Sequence, residues 1–277
     1  QVPRDNTDRN RTSPFAFTGS KFEFRAVGSS STPASAVTVL NTAVADGLAH
    51  FSDEIAKRMD RKKQFTAVAV EVLREMVKAS KNILFEGDNY SEKWAKEAER
   101  RGLPNLKTTP EALNALLDKK AVAMFTRFGI YSDREVESRH HIDMEHYIKH
   151  ADIEAEVTRD MAMTMFLPSA AKYARDLTSS LSGAREALGD SGPGTKTLSG
   201  ILRKITSDID RLYAAATKLD GLLSAANETG DLRKKGAAFV GVRAQCEKVR
   251  AVVDNLEGLV ADEYWPVPKY RSMLLSL

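Results

Sequence analysis

From Leu198 onward, apolar residues recur four and three apart: Leu198, Leu202, Ile205, Ile209, Leu212, Ala216, Leu219 and Leu223. Nearly four heptads of this spacing draw one apolar stripe along a helix, and such a stripe is buried against another like it. A second stripe follows Gly230 and Gly236, through Val242, Cys246, Val249, Val253, Leu256 and Val260. The short connection favours antiparallel packing, so the pattern predicts a coiled-coil-like hairpin over about 195–260. Gly189-Asp190-Ser191-Gly192-Pro193-Gly194 separates it from a helical pattern running from residue 133 to about 188, which Pro168 is expected to kink. Tyr264-Trp265-Pro266-Val267-Pro268 should end the last helix in an extended, docked tail.

Helical signals also fill the preceding stretch. Val37, Leu40, Val44, Leu48, Phe51 and Ile55 predict an amphipathic helix beginning near Ala36, after a turn over 28–35. A second helix is expected through Val68, Val72, Met76 and Ile83, stopping near Gly87. Ser91 can cap a short helix through Trp94 and Ala98, which Gly102 and Pro104 end. Thr109 reads as an N-cap with Pro110 at the first helical position, and that helix should reach Leu117. Residues 121–128 form a short apolar piece closed by Gly129. The bases between Lys57 and Lys63 suit the C-terminal end of a helix dipole.

Composition sets the remaining bounds. In 277 residues, 42% apolar and 29% charged content is that of a globular protein with ample core. A net charge of +3 with no basic run interleaved with aromatics gives no case for nucleic acid. No stretch approaches the roughly 18 apolar residues of a membrane span, and no signal-peptide pattern opens the chain. The single Cys246 excludes an intramolecular disulfide and fits a reducing, cytoplasmic setting.

Lys21-Phe22-Glu23-Phe24-Arg25 departs from all this by alternating strictly. On a strand, Lys21, Glu23 and Arg25 share one face while Phe22 and Phe24 share the other, which should enter a core. A carboxylate between two cations suits a metal ion and anionic ligands. It equally suits a solvated strand face with cross-strand ion pairs.

The stretch RNRTSPFAFTGSKFEFRAVGSS, from Arg9, resembles the C-terminal part of the catalytic domain of glutamine synthetases, specifically the long type III class. The matching motifs are Arg9-Asn10-Arg11-Thr12 and Lys21-x-Glu23-x-Arg25, in order and followed by a turn and a helix. Gly87-Asp88-Asn89-Tyr90-Ser91, the run from Arg101 to Glu111, and Glu137-Ser138-Arg139 extend the likeness over most of the first 170 residues. The resemblance implies that Glu23 is a ligand of a magnesium or manganese ion. It implies that Arg25 holds the glutamate substrate. Arg11 would be the catalytic arginine, facing both the ATP phosphates and the reacting carboxylate, and Lys21 a further ATP-binding cation. Ala16 departs from the pattern, because the wider family carries a phosphate-binding arginine there, and the connection from Arg11 to Glu23 is shorter than usual.

The chemistry so implied is ATP-dependent ligation of ammonia to L-glutamate through γ-glutamyl phosphate. Arginine's planar fork and a hard divalent cation are the groups that allow two anions to approach each other. The resemblance further implies a cytoplasmic homo-oligomer, a dodecamer of two hexameric rings. Residues 1–50 would be the end of the catalytic α+β domain, contributing one or two strands, and 51–277 a helical C-terminal domain. One glutamate cannot hold the metals alone, and the chain does not begin with methionine. The expectation is therefore the C-terminal portion of a longer enzyme, inactive by itself. The rival expectation is a non-catalytic helical scaffold or oligomerisation module.

Other clusters read as structural. His146 and His150 lie four apart near His140, His141 and Glu145, as a zinc pair would, but a solvated helix face is the commoner meaning. Cys246 should be a small buried seam residue, and Met161, Met163 and Met165 irregular core packing.

Overall fold

A computed structural model describes residues 15–17, 22–25, 28 and 31–275. In chain order the strands are β1 (Phe15–Phe17) and β2 (Phe22–Phe24). The helices are α1 (Ala34–Arg58), α2 (Phe65–Ala79), α3 (Glu92–Arg100), α4 (Thr109–Asn114), α5 (Lys119–Arg127) and α6 (Asp133–Met161). They continue as α7 (Leu167–Leu188), α8 (Thr195–Asn227), α9 (Leu232–Glu257) and α10 (Tyr270–Leu275). The chain is thus mainly α, with a two-stranded antiparallel sheet at its start and long helices after it. It divides into two compact units, Gln1–Lys107 with Ala115–Glu137, and Thr108–Asn114 with Ser138–Leu277. Helix α1 runs through residue 50, where the sequence suggests a domain boundary.

In the first unit, α1 and α2 pair through a small cluster in which Ile55, Val68 and Val72 are buried and Phe51 and Met76 half-buried. Arg58 ties the pair together, bonding Glu54 one turn back and Glu75 across the gap at 2.8 Å. Lys63 reaches the Arg58 carbonyl, so the expected basic cluster does sit on the helix end and satisfies one of its orphan carbonyls. The stripe of α1 is nonetheless covered only at this end: Val37, Val44 and Leu48 are exposed. Helix α2 stops at Ala79, and Ile83 lies in a separate 3-10 turn, Lys81–Ile83, rather than in α2 as its spacing suggests. Ser91 caps α3 as expected, its side chain accepting from the Trp94 N–H.

The second unit holds the main core. Helices α8 and α9 pack as the expected antiparallel hairpin, with Ile205, Leu212 and Leu219 facing Val242, Val249 and Leu256, and α7 packs on α8. Each such side chain, fully buried, contributes about 1.5–3 kcal/mol before entropy is counted. Two seam positions differ from the expectation. Gln245, not Cys246, is buried in the α9 seam, and Asp208, not Ile209, in that of α8. Spacing explains this, since 242, 245, 249, 252 and 256 alternate by three and four. Gln245 is tolerated there because its amide donates to the Ala215 carbonyl at 3.0 Å, and Asp208 because Arg211 meets it at 2.7 Å.

Pro168 produces a local widening between α6 and α7. Residues Ala162–Phe166 form a π turn, in which the Leu167 N–H donates to Ala162, five residues back. The extra residue per turn absorbs the donor that proline lacks and the room its ring needs. Helix α4 begins one residue earlier than expected: the Thr108 carbonyl accepts from the Ala112 N–H, Thr109 is the first helical residue and Pro110 lies in the first turn. Its last leucines belong to a 3-10 turn, Ala115–Leu117. The tail after α9 docks through Trp265, whose ring lies 5.0 Å from Phe166. It then forms the short helix α10 instead of staying extended.

Candidate functional site

The strand pair β1–β2 builds the candidate site. Its register sets Phe15 opposite Phe24, Ala16 opposite Glu23 and Phe17 opposite Phe22. Opposite residues in an antiparallel pair share a face, so Ala16 lies on the charged side with Glu23. Arg25 donates from Nη2 to Glu23 Oε2 at 2.8 Å, and each side chain keeps about a quarter of its exposure, 25% and 23%. The pair is thus shielded from water on one side while remaining reachable. Ala16 is itself 2% exposed, so the position at which an arginine would be expected is a closed, small-residue contact.

The aromatic face corrects one expectation. Phe15 stacks on Phe22 at 5.2 Å and meets Phe24 edge-on at 6.2 Å, yet the three rings are 49–62% exposed. Two strands alone cannot cover their own apolar face; that takes a second layer. Phe15-Ala16-Phe17 repeats the alternation of Phe22-Glu23-Phe24, and that signal identifies the partner strand which the motif reading passes over.

Arg11 and Lys21 lie outside the described residues, so of the four expected site groups the structure brings together Glu23 and Arg25. As a donor for a hard divalent ion, Glu23 fits: magnesium uses only one or two protein carboxylates, with water and phosphate oxygens completing its shell. Among the described residues no group of three or more His, Cys, Asp and Glu side chains could hold a metal. The histidines of α6 have other partners. His140 is buried and its Nε2 meets Asn114 Oδ1 at 3.0 Å, His141 pairs with Glu145 at 3.2 Å, and His146 and His150 pack edge-on at 5.1 Å. Burial, and then Arg233, holds the His140 pKa below its usual range. Cys246 is half-buried, and burial raises its thiol pKa, which favours the less nucleophilic form. No helix among the described residues is long and apolar enough to cross a membrane.

The profile of the glutamine synthetase C-terminal domain matches residues 68–185. A glutamine synthetase of Bacteroides fragilis is 34% identical over 279 residues, covering 100% of this chain and 38% of that protein. A type-3 glutamine synthetase of Dictyostelium discoideum is 37% identical over 283 residues, covering 99% of this chain and 37% of its own length. A glutamine synthetase of Butyrivibrio fibrisolvens is 31% identical, with 99% and 39% covered. The chain therefore spans under two-fifths of the length of these curated relatives.

Proposed function

Because this chain belongs to the glutamine synthetase family, we propose that it is the C-terminal part of a type III enzyme that ligates ammonia to L-glutamate with ATP. The observation that carries this reading is the half-shielded Glu23–Arg25 pair on one strand face. In the reaction the side-chain carboxylate of glutamate attacks the γ-phosphorus of ATP, and ADP leaves. Ammonia then adds to the acyl carbon of γ-glutamyl phosphate, phosphate leaves and a proton is lost. Glu23 supplies one carboxylate to a magnesium or manganese ion, whose charge offsets that of the phosphates. Arg25 holds the carboxylate of the glutamate substrate through its planar fork. Arg11 faces the transferred phosphoryl group and the reacting carboxylate, and Lys21 adds positive charge beside ATP.

In this reading residues 1–50 complete the catalytic domain, 51–277 form the helical C-terminal domain, and the remaining ligands come from a preceding segment. The same reading carries a cytoplasmic homo-oligomer of two stacked hexameric rings.

The deciding experiment replaces Glu23 in a protein of the relatives' full length. Glu23→Ala should abolish glutamine formation and weaken manganese binding while leaving the thermal melt unchanged. Wild-type turnover and metal affinity in that variant would remove Glu23 from the site.

A further inference from the structure

An open groove of about 700 Å³ runs beside α6, α9 and the start of α10 in the second unit. Its floor is apolar. Helix α6 offers Ile153, Val157 and Met161 one turn apart, and α9 offers Val249 and Val253. Ile153 and Val157 are 61% and 51% exposed. Neither residue belongs to the α8–α9 seam, so nothing in the folding of the hairpin requires them to be apolar.

The rim has a definite charge. Four carboxylates line it, from Glu154, Glu247, Asp254 and Glu257, against the single guanidinium of Arg250. Arg250 is already engaged, with Asp254 at 3.6 Å and the Tyr270 hydroxyl at 3.1 Å. Arg243 offsets Glu154 from outside the lining, at 3.8 Å, and Glu257 accepts from the Tyr270 N–H. The balance stays negative on an apolar floor. The lining spans nine residues along α6, about 12 Å, and twelve along α9, about 16 Å, roughly two to three helical turns, with its exposed apolar part on α6.

We propose that this groove docks a basic amphipathic helix of a partner protein, with its apolar stripe on Ile153 and Val157 and its lysines or arginines toward the acidic rim. Such a helix matches the floor by helical spacing and the rim by charge, as helix-in-groove recognition does elsewhere. A compact ligand would leave part of the half-exposed α6 wall and most of the acidic rim uncovered. The proposal is independent of the ligase reading, and its test uses no activity assay.

The probe is a labelled synthetic peptide of about 18 residues, long enough to form a helix, with leucines at helical spacing and lysines elsewhere. A twin carries glutamate in place of every lysine. Anisotropy should show the lysine peptide binding at least about tenfold tighter than its twin. Ile153→Asp with Val157→Asp, at exposed positions that leave the circular dichroism unchanged, should weaken it by about tenfold or more. Glu247→Lys should weaken the lysine peptide and strengthen the twin. Bound peptide should also slow alkylation of Cys246, which lines the groove. Equal binding of the two peptides, or binding indifferent to these substitutions, would overturn the proposal. So would self-association of the chain that Val157→Asp abolishes, because the face would then belong to a second copy.

Discussion

At the scale of single residues, two side chains carry separable predictions. Arg25 presents a fork that lysine cannot reproduce, so in the full-length protein Arg25→Lys should raise the KM for glutamate by roughly thirtyfold, about 2 kcal/mol. An unchanged KM would take Arg25 out of the substrate site. His140 behaves differently, because its place is structural. Burial favours its neutral form and puts its folded pKa below the ordinary 6.5 that the unfolded chain retains. The unfolded chain therefore binds the proton more readily. Stability from His140 is complete above about pH 6.5 and is lost as pH falls through that value toward the folded pKa. Its surroundings hold Arg233, His141 and Asp143 as charged or titratable neighbours and Asn114 as its hydrogen-bond partner. Urea midpoints should fall between about pH 7 and about pH 5 in the wild type, and less steeply in His140→Gln. Identical slopes in the two proteins would show that His140 is not the group responsible.

At the scale of elements, the long helices follow their apolar spacing because a stripe of that length has one stable way to be buried. The exceptions share a cause. Gln245 and Asp208 occupy seam positions, and a reading that counts only apolar residues steps over them to Cys246 and Ile209. A hydrogen bond to the Ala215 carbonyl makes Gln245 tolerable, and that partner exists only once the helices are paired, whereas Asp208 is met by Arg211 three residues on along its own helix. Leu212 is fully buried in the same seam. Leu212→Asp would place an unpaired carboxylate there and should destabilise the second unit by several kcal/mol, about 3 or more, read as a lower urea midpoint. A midpoint shift below about 0.5 kcal/mol would mean that the α8–α9 seam is not packed as described. Pro168 gives the same lesson in the backbone. Its missing donor is legible in the sequence, but whether a helix answers with a kink or a π turn depends on what packs on either side. Phe166 and Ala170, which flank it, are both held in the core.

At the scale of the whole molecule, the candidate site is incomplete within the described residues. Glu23 and Arg25 are one carboxylate and one fork, while phosphoryl transfer to a carboxylate also needs nucleotide and further metal contacts. The purified 277-residue chain should therefore form no glutamine from ATP, glutamate and ammonia. Detectable ATP-dependent product would overturn the expectation that the rest of the site lies in another segment. The sequence by itself determined the helical class, the α8–α9 hairpin, the Ser91 cap, the break after Leu188 and the pairing of charge and ring on β2. Each of these rests on local periodicity or on one residue's backbone preference, which act without knowledge of the rest of the chain. Tertiary structure alone decided which parts of an apolar face are covered. It left Val44, Leu48, Phe15, Phe22 and Phe24 exposed, buried His140 and Gln245, and kept Ile153 and Val157 open beside an acidic rim. Burial depends on neighbours brought from far along the chain, and the same leucine or valine serves as core or as surface according to whether such a neighbour arrives.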